Sequence, residues 1–183
     1  TSTSSLVKWG LNDKERHTGN VALDSYYWTI YFTRSEAKAG NGDYSAIQSH
    51  IWRTTFKEGK WQKAQKVAGD VNIKGCTSTH PTVCQLEDGT TVLYFVSDRE
   101  GGYGGLDVWY CTIAEDGTVG PVVNAGPIVN TPGDEITPFY CERCETLYFS
   151  SDWHYGYGGF DIFGSRGALD QWQEPINLGP TLN

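Results

Sequence analysis

No part of this 183-residue sequence is an unbroken apolar run of the ~18 or more residues that a membrane-crossing helix needs, so membrane insertion by a helix is not expected. The opening Thr1-Ser2-Thr3-Ser4-Ser5 is neither basic nor apolar enough for a signal peptide; an uncleaved address is therefore not expected, and a removed one stays open. Basic residues are scarce, 14 Lys and Arg against 22 Asp and Glu for a net charge of −8 and a pI near 4.9. They are scattered apart from a mild cluster at Lys57 to Lys66, and without a basic face no nucleic-acid partner is expected. The four histidines, His17, His50, His80 and His154, form no HxxxH or His-x-His pair, so zinc could gather them only through the fold. No Gly-x-Ser-x-Gly elbow and no long helical period are present. Gly102-Tyr103-Gly104-Gly105 is not followed by the Lys-Ser/Thr of a phosphate loop, and Ser150-Ser151-Asp152 begins a sialidase-type Asp box only to meet His154 where glycine is required. No cofactor is therefore expected.

What the sequence does contain is a repeat. Leu93-Tyr94-Phe95-Val96-Ser97-Asp98 with Gly104-Gly105-Leu106-Asp107-Val108-Trp109 returns 54 residues later as Leu147-Tyr148-Phe149-Ser150-Ser151-Asp152 with Gly158-Gly159-Phe160-Asp161-Ile162-Phe163. Val122 to Asn130 likewise matches Pro175 to Asn183. A third, more worn copy lies upstream, with Ile30-Tyr31-Phe32-Thr33, Ile51-Trp52 and Val67 to Asn72 as landmarks, and about six extra residues placed at Glu36 to Tyr44. A period of this size in short β-rich runs points to stacked β modules such as propeller blades. The 14% aromatic content and 22 glycines suit β modules packed through large flat side chains.

Alternation and turn chemistry place four strands in the second copy, near Pro81–Leu86, Thr91–Val96, Asp107–Ile113 and Val119–Asn124. Asp88-Gly89 and Asp116-Gly117 supply tight turns between the first and second, and the third and fourth, of these. The expectation is an all-β chain, a partial β-propeller of about three four-stranded antiparallel blades over 11–72, 73–130 and 131–183. Stacking should bury Tyr94, Phe95, Trp109, Tyr148, Phe149 and Phe163. Three blades are fewer than a closed ring usually needs, so a fragment of a longer multidomain protein is expected.

The glycine loop is the first candidate site. Asp98 and Asp107 stand at its mouths, mirrored by Asp152 and Asp161, and Gly104, Gly105, Gly158 and Gly159 lie between them. Two carboxylates beside a flexible loop could hold a hard cation or divide acid and base roles. Their occurrence in successive modules favours acids that brace a turn by accepting its N–H groups, with glycine permitting backbone shapes closed to other residues. Trp153, Tyr155 and Tyr157 are candidate binding anchors or, equally, blade-packing residues. Among Cys76, Cys84, Cys111, Cys141 and Cys144, the pair Cys141 and Cys144 occupies the position of the Asp88-Gly89 hairpin and suits a disulfide staple, with free thiols and metal or redox work as alternatives. The staple would imply an oxidising compartment.

The motifs Leu147 to Phe163, Asn130 to Pro138 and Trp172-x-x-Pro175-Ile176-Asn177-Leu178-Gly179 resemble TolB-like, WD-type propeller repeats of OmpA-family envelope proteins, nearest the PorE-like group of type IX secretion. The likeness spans about residues 16 to 183. It implies a non-enzymatic, periplasmic, outer-membrane-associated scaffold whose partners are other envelope or secretion-machinery proteins, with peptidoglycan held only by a domain outside this chain. The alternative is a glycan-binding or glycan-cleaving propeller, since aromatic platforms and loop acids also suit sugars.

Overall fold

The computed structural model describes Leu11 and residues 16–36 and 48–183. Three antiparallel sheets follow one another along the chain. The first holds β1 (His17–Asp24), β2 (Thr29–Glu36), β3 (Gln48–Lys57), β4 (Lys60–Trp61) and β5 (Gln65–Lys66). The second holds β6 (Ser78–Gln85), β7 (Thr91–Ser97), β8 (Asp107–Ile113) and β9 (Val123–Asn124). The third holds β10 (Glu135–Cys141), β11 (Thr146–Ser151), β12 (Asp161–Ala168), β13 (Gln171–Trp172) and β14 (Ile176–Asn177). Each is a meander, and the leading strands β1, β6 and β10 lie side by side, as the inner strands of propeller blades do. The chain is all-β and forms a partial β-propeller. Apart from Glu36, the proposed insertion at Glu36 to Tyr44 falls outside the described residues.

The hairpin turns have a local cause. Gly89 and Gly117 sit at φ of 86° and 83°, in the left-handed region that glycine enters without a Cβ penalty. The preceding aspartates complete each turn, Asp88 Oδ1 accepting the Thr90 N–H at 2.9 Å and Asp116 Oδ1 the Thr118 N–H at 2.8 Å. The second blade's inner strand starts at Ser78, earlier than the expected Pro81, because a bulge lets it run through the proline. His80 takes φ of 49° there, and Asn20 and Thr137 take 48° and 51° at the equivalent bulges of β1 and β10. The inner strand's axial edge has no ladder partner, which is where a strand tolerates proline. The outermost strand is shorter than expected, reduced to Val123–Asn124 plus a single bridge between Ile113 and Val119.

Packing follows from strand alternation. All of β7 is buried, and its residues face two different cores. Leu93 and Phe95 join Trp109 and Cys111 against Tyr31 and Ile51 of the first blade. Val92 and Tyr94 join Val108 and Tyr110 against Tyr140, Leu147 and Phe163 of the third. Each large side chain so buried contributes ~1.5–3 kcal/mol. Tyr148 differs from the expectation: it is only half-buried, because it lies on the face of the third sheet that no other described sheet covers.

One directly opposed aromatic pair recurs in every blade: Phe32 with Trp52, Phe95 with Trp109 and Phe149 with Phe163. A cation or imidazole caps each. The Arg34 guanidinium lies 5.0 Å from the Phe32 ring and 4.8 Å from Trp52, and Arg99 lies 4.9 Å from Phe95 and 5.2 Å from Trp109. In the third blade the His154 ring takes that place, 5.1 Å from Phe163 and 5.8 Å from Phe149.

Asparagine side chains close each blade. Asn130 Oδ1 accepts the Val108 N–H at 2.7 Å while its Nδ2 donates to the Val108 carbonyl at 2.9 Å and to Asn124 Oδ1 at 2.8 Å. Asn72 does the same to Ile51, at 2.8 and 2.9 Å, and Asn183 to Ile162, at 2.7 and 3.2 Å. The carboxamide stands in for a missing strand partner of the third strand. Replacing Asn130 by alanine strands two backbone groups, each costing ~1–3 kcal/mol when buried. Asn130→Ala should therefore lower the unfolding free energy by at least ~2 kcal/mol in a urea titration, and an unchanged midpoint would refute this role.

Candidate functional site

The loops that follow β7 and β11 emerge at the end of the blades where the inner strands begin, and here the sequence-predicted residues meet. Asp107 is buried at the start of β8, its carboxylate accepting the N–H groups of Tyr103 at 2.5 Å and Gly104 at 3.1 Å, and the Asn124 amide at 3.1 Å. Asp161 is placed alike at the start of β12, accepting from the Tyr157 N–H and, at 3.4 Å, from Gly158. Asp98 and Asp152 are exposed, and each holds the approach to the inner strand beside it. Asp98 Oδ1 accepts the Thr77 N–H at 2.6 Å, and Asp152 Oδ1 the Asp134 N–H at 2.8 Å. The four acids thus sit on backbone N–H groups. Among the described residues no three His, Cys, Asp or Glu side chains converge as a metal site.

The glycines act differently from expectation. Gly104, Gly105, Gly158 and Gly159 lie outside the left-handed region, so conformational licence is not their role. Gly104 and Gly105 are small because the Thr131–Asp134 segment presses on them: a Cβ on Gly104 would overlap the Gly133 and Thr131 carbonyls, and one on Gly105 the Asp134 carboxylate. Two glycines that the sequence reading passed over are needed for the acids themselves. A Cβ on Gly102 or Gly156 would overlap the carboxylate of Asp107 or Asp161. The signal was present as Gly-Tyr-Gly in both copies.

Asp134 and Glu135 were also missed, although they stand in the quoted Asn130 to Pro138 motif. Asp134 Oδ1 accepts the Leu106 N–H at 2.8 Å, tying the third blade's approach segment to the second blade's loop. Glu135 is fully buried and has no acidic counterpart in the other blades, where β-bulge register places Ser78 and Thr18. It accepts from the Thr131 N–H at 2.8 Å, the Thr131 hydroxyl at 2.5 Å and the Ser151 hydroxyl at 2.7 Å. Burial raises its pKa, the hydrogen bonds opposing the shift.

The aromatic residues are the outward part of this end. Trp153 is 62% exposed, Tyr155 98%, Tyr157 64%, and Tyr103, the repeat equivalent of Tyr157, 49%. Trp153 is positioned from below: its N–H donates to Ser151 Oγ at 3.2 Å, and its Cβ lies so close to Gly133 that a Cβ there would stand 2.7 Å away. His154 turns inward instead, its Nε2 3.0 Å from the Val129 carbonyl.

Other concavities lie apart from these loops. A hollow of about 320 Å³ on the axial side is lined by the three bulges with Val21, Pro81 and Phe139. Burial lowers the pKa of His80 at its wall. A larger cleft of about 1310 Å³ opens at the opposite end of the second and third blades, between Glu87, Asp88, Glu142, Arg166 and Trp172.

Cys141 ends β10, and Glu142–Cys144 forms a 3-10 turn closed by Glu145 in the left-handed region, a longer connection than the Asp88-Gly89 turn it replaces. Both cysteines are thiols in this structure, and the hydrogen bond with Cys141 is the first cause of a raised Cys144 pKa.

No family description matches the sequence, and no curated protein is significantly similar to it. Among solved structures the chain is similar to an endo-arabinase from Bacteroides thetaiotaomicron VPI-5482, with TM-score 0.53 and 16% identity over 97% of this chain and 66% of that one. It is similar to a xylan β-1,4-xylosidase from Bacillus halodurans C-125, with TM-score 0.55 and 16% identity over 91% of this chain and 31% of that one. A puromycin-hydrolyzing peptidase from Mycobacterium tuberculosis gives TM-score 0.51 and 15% identity over 91% and 24%. The chain thus spans 24% to 66% of these structures, and at such identity the likeness shows the fold alone. It nevertheless overturns two expectations, that the chain is a non-catalytic scaffold and that it is not an enzyme. All three neighbours are named for hydrolytic activities, two of them as an arabinase and a xylosidase.

Burial drives the thiols of Cys84 and Cys111 up to about 12. Only the thiolate attacks an alkylating agent, so at pH 8 both should stay almost wholly protonated and unreactive. Peptide mapping of the reduced native protein after iodoacetamide should find Cys144 modified and Cys84 and Cys111 intact. Rapid modification of either buried thiol would contradict this packing.

Proposed function

We propose that this chain is part of a glycan-acting β-propeller, with a polysaccharide lying across the loop end and its sugar rings stacked on Trp153, Tyr155, Tyr157 and Tyr103. The observation that carries the reading is the exposure of this rim. Large apolar rings left in water as a group mark a binding surface. Blade packing does not require them to be exposed or hidden: Tyr103 stays 49% exposed with the third blade already beside it. The neighbouring arabinase and xylosidase make neutral plant-type polysaccharides the first candidates.

Hydrolysis of a glycosidic bond commonly uses two carboxylates, one protonating the leaving oxygen and the other acting as base or nucleophile. Asp134 and Asp152 both reach solvent next to Trp153, and the Asp134 N–H joins them directly, which sets them apart from the exposed Asp98 and Glu100. They are the candidate pair. Asp107, Asp161 and Glu135 are too buried to meet a substrate.

A periplasmic location is part of the same proposal, since polysaccharides are met outside the cytoplasm and an oxidising compartment would join Cys141 to Cys144. Non-reducing peptide mapping of protein recovered from its native compartment should find these two linked. Two alkylatable thiols would remove that support.

The function is tested with arabinan and xylan, by calorimetry and by release of reducing sugar. Trp153→Ala should weaken binding at least ~10-fold, equivalent to ~1.4 kcal/mol. Asp134→Asn and Asp152→Asn keep the oxygen that accepts the backbone N–H, and should abolish sugar release with binding retained. If no polysaccharide binds, the reading fails.

A further inference from the structure

Gly104 and Gly105 are repeat equivalents of Gly158 and Gly159, but their surroundings differ. The first two lie under the Thr131–Asp134 segment, which a Cβ on either would strike. On Gly158 or Gly159 an added Cβ meets nothing within 4 Å, and neither residue has a positive φ. Nothing else in the third blade requires glycine at these positions. The sequence nevertheless keeps the same bare surface there that, one blade earlier, is filled by the segment leading into the next sheet.

Hydrogen bonds repeat the contrast. The Gly105 N–H donates to the Gly133 carbonyl at 3.1 Å, the Leu106 N–H to Asp134 Oδ1 at 2.8 Å, and the Leu106 carbonyl accepts the Glu135 N–H at 2.6 Å. Among the described residues no such bonds involve Gly159 or Phe160. The adjoining face is open too. Tyr94 is fully buried, stacks on Tyr140 at 5.6 Å between centroids, and accepts the Leu169 N–H at 2.9 Å on its hydroxyl. Its equivalent Tyr148 is half-buried, and Phe139 and Ile176 on the same face are exposed.

We infer that this face of the third blade seats a further blade of the same repeat, led in by a segment of the Thr131-Pro132-Gly133-Asp134 type. That segment's glycine lies over Gly158, its aspartate accepts the Phe160 N–H, and Tyr148 takes an N–H from the new blade's outer hairpin as Tyr94 does. The contact continues the two inter-blade interfaces already present and is independent of the glycan reading.

The test compares the 183-residue chain with one extended, after Asn183, by a second copy of residues 131–183. Gly158→Val meets open space in the shorter chain and should leave its Tm within ~1 °C. In the extended chain the same change should lower Tm by ~5 °C or more and expose Tyr148 to iodination. Gly104→Val should lower Tm in both chains, since its space is filled in both. Equal effects of Gly158→Val on the two chains would overturn the inference. So would concentration-dependent dimers of the shorter chain abolished by Gly158→Val, which would make a second copy the occupant. Loss of arabinan or xylan binding on Gly158→Val with Tm unchanged in both chains would assign the face to a ligand instead.

Discussion

The structure depends on one strand serving two cores. Because successive side chains of a strand point to opposite faces, β7 can send Leu93 and Phe95 to the first blade and Val92 and Tyr94 to the third, provided every position is apolar or small. That is why its run reads as continuous hydrophobicity and not as an alternation. A blade with a single apolar face could begin or end a stack, but it could not stand in the middle of one. The other strands of the second blade inherit this requirement by pairing with β7, so Trp109 and Tyr110, adjacent in sequence, also part company between the two cores.

Stacking leaves a second problem, the backbone at the ends of blades. Short outer strands leave third-strand N–H and C=O groups without partners, and loops leave more. Polar side chains supply what is missing: Asn72, Asn130 and Asn183 act as surrogate strand residues, while Asp98, Asp107, Asp152 and Asp161 receive loop amides. These residues recur because the backbone need recurs. Their recurrence therefore describes architecture, and it says nothing of acids outside the repeat. Asp134 has no aspartate at the equivalent position of the second blade, where Thr77 stands, and it too receives a loop amide, that of Leu106.

The repeated carboxylates brace backbone amides, as their recurrence leads one to expect, whereas the expectation of a non-catalytic scaffold does not stand beside fold neighbours named for hydrolysis. With the buried acids assigned to backbone amides, the outward features of the loop end are exposed aromatic rings and the exposed or half-buried carboxylates of Asp98, Asp134 and Asp152. Gly104 and Gly105 let the 131–134 segment press on the second blade's loop, and Gly133 lets it press on Asp152 and Trp153.

The sequence by itself determined the all-β class, the repeat, the order of the main strands, and the turns at Asp88-Gly89 and Asp116-Gly117. Those are local properties, set by side-chain period and by φ at single residues. It also named the residues of the glycine loop, because they are written twice. Only the tertiary structure decided what those glycines are for, since the carbonyls pressing on Gly104 come from residues about 30 positions later. The bulges were hidden for a similar reason: a proline in an inner strand looks like a strand start until the unpaired axial edge is known. Exposure was decided there as well. Tyr94 and Tyr148 are the same letter in the same motif, and they differ in burial only because one face is covered by the next sheet and the other is not.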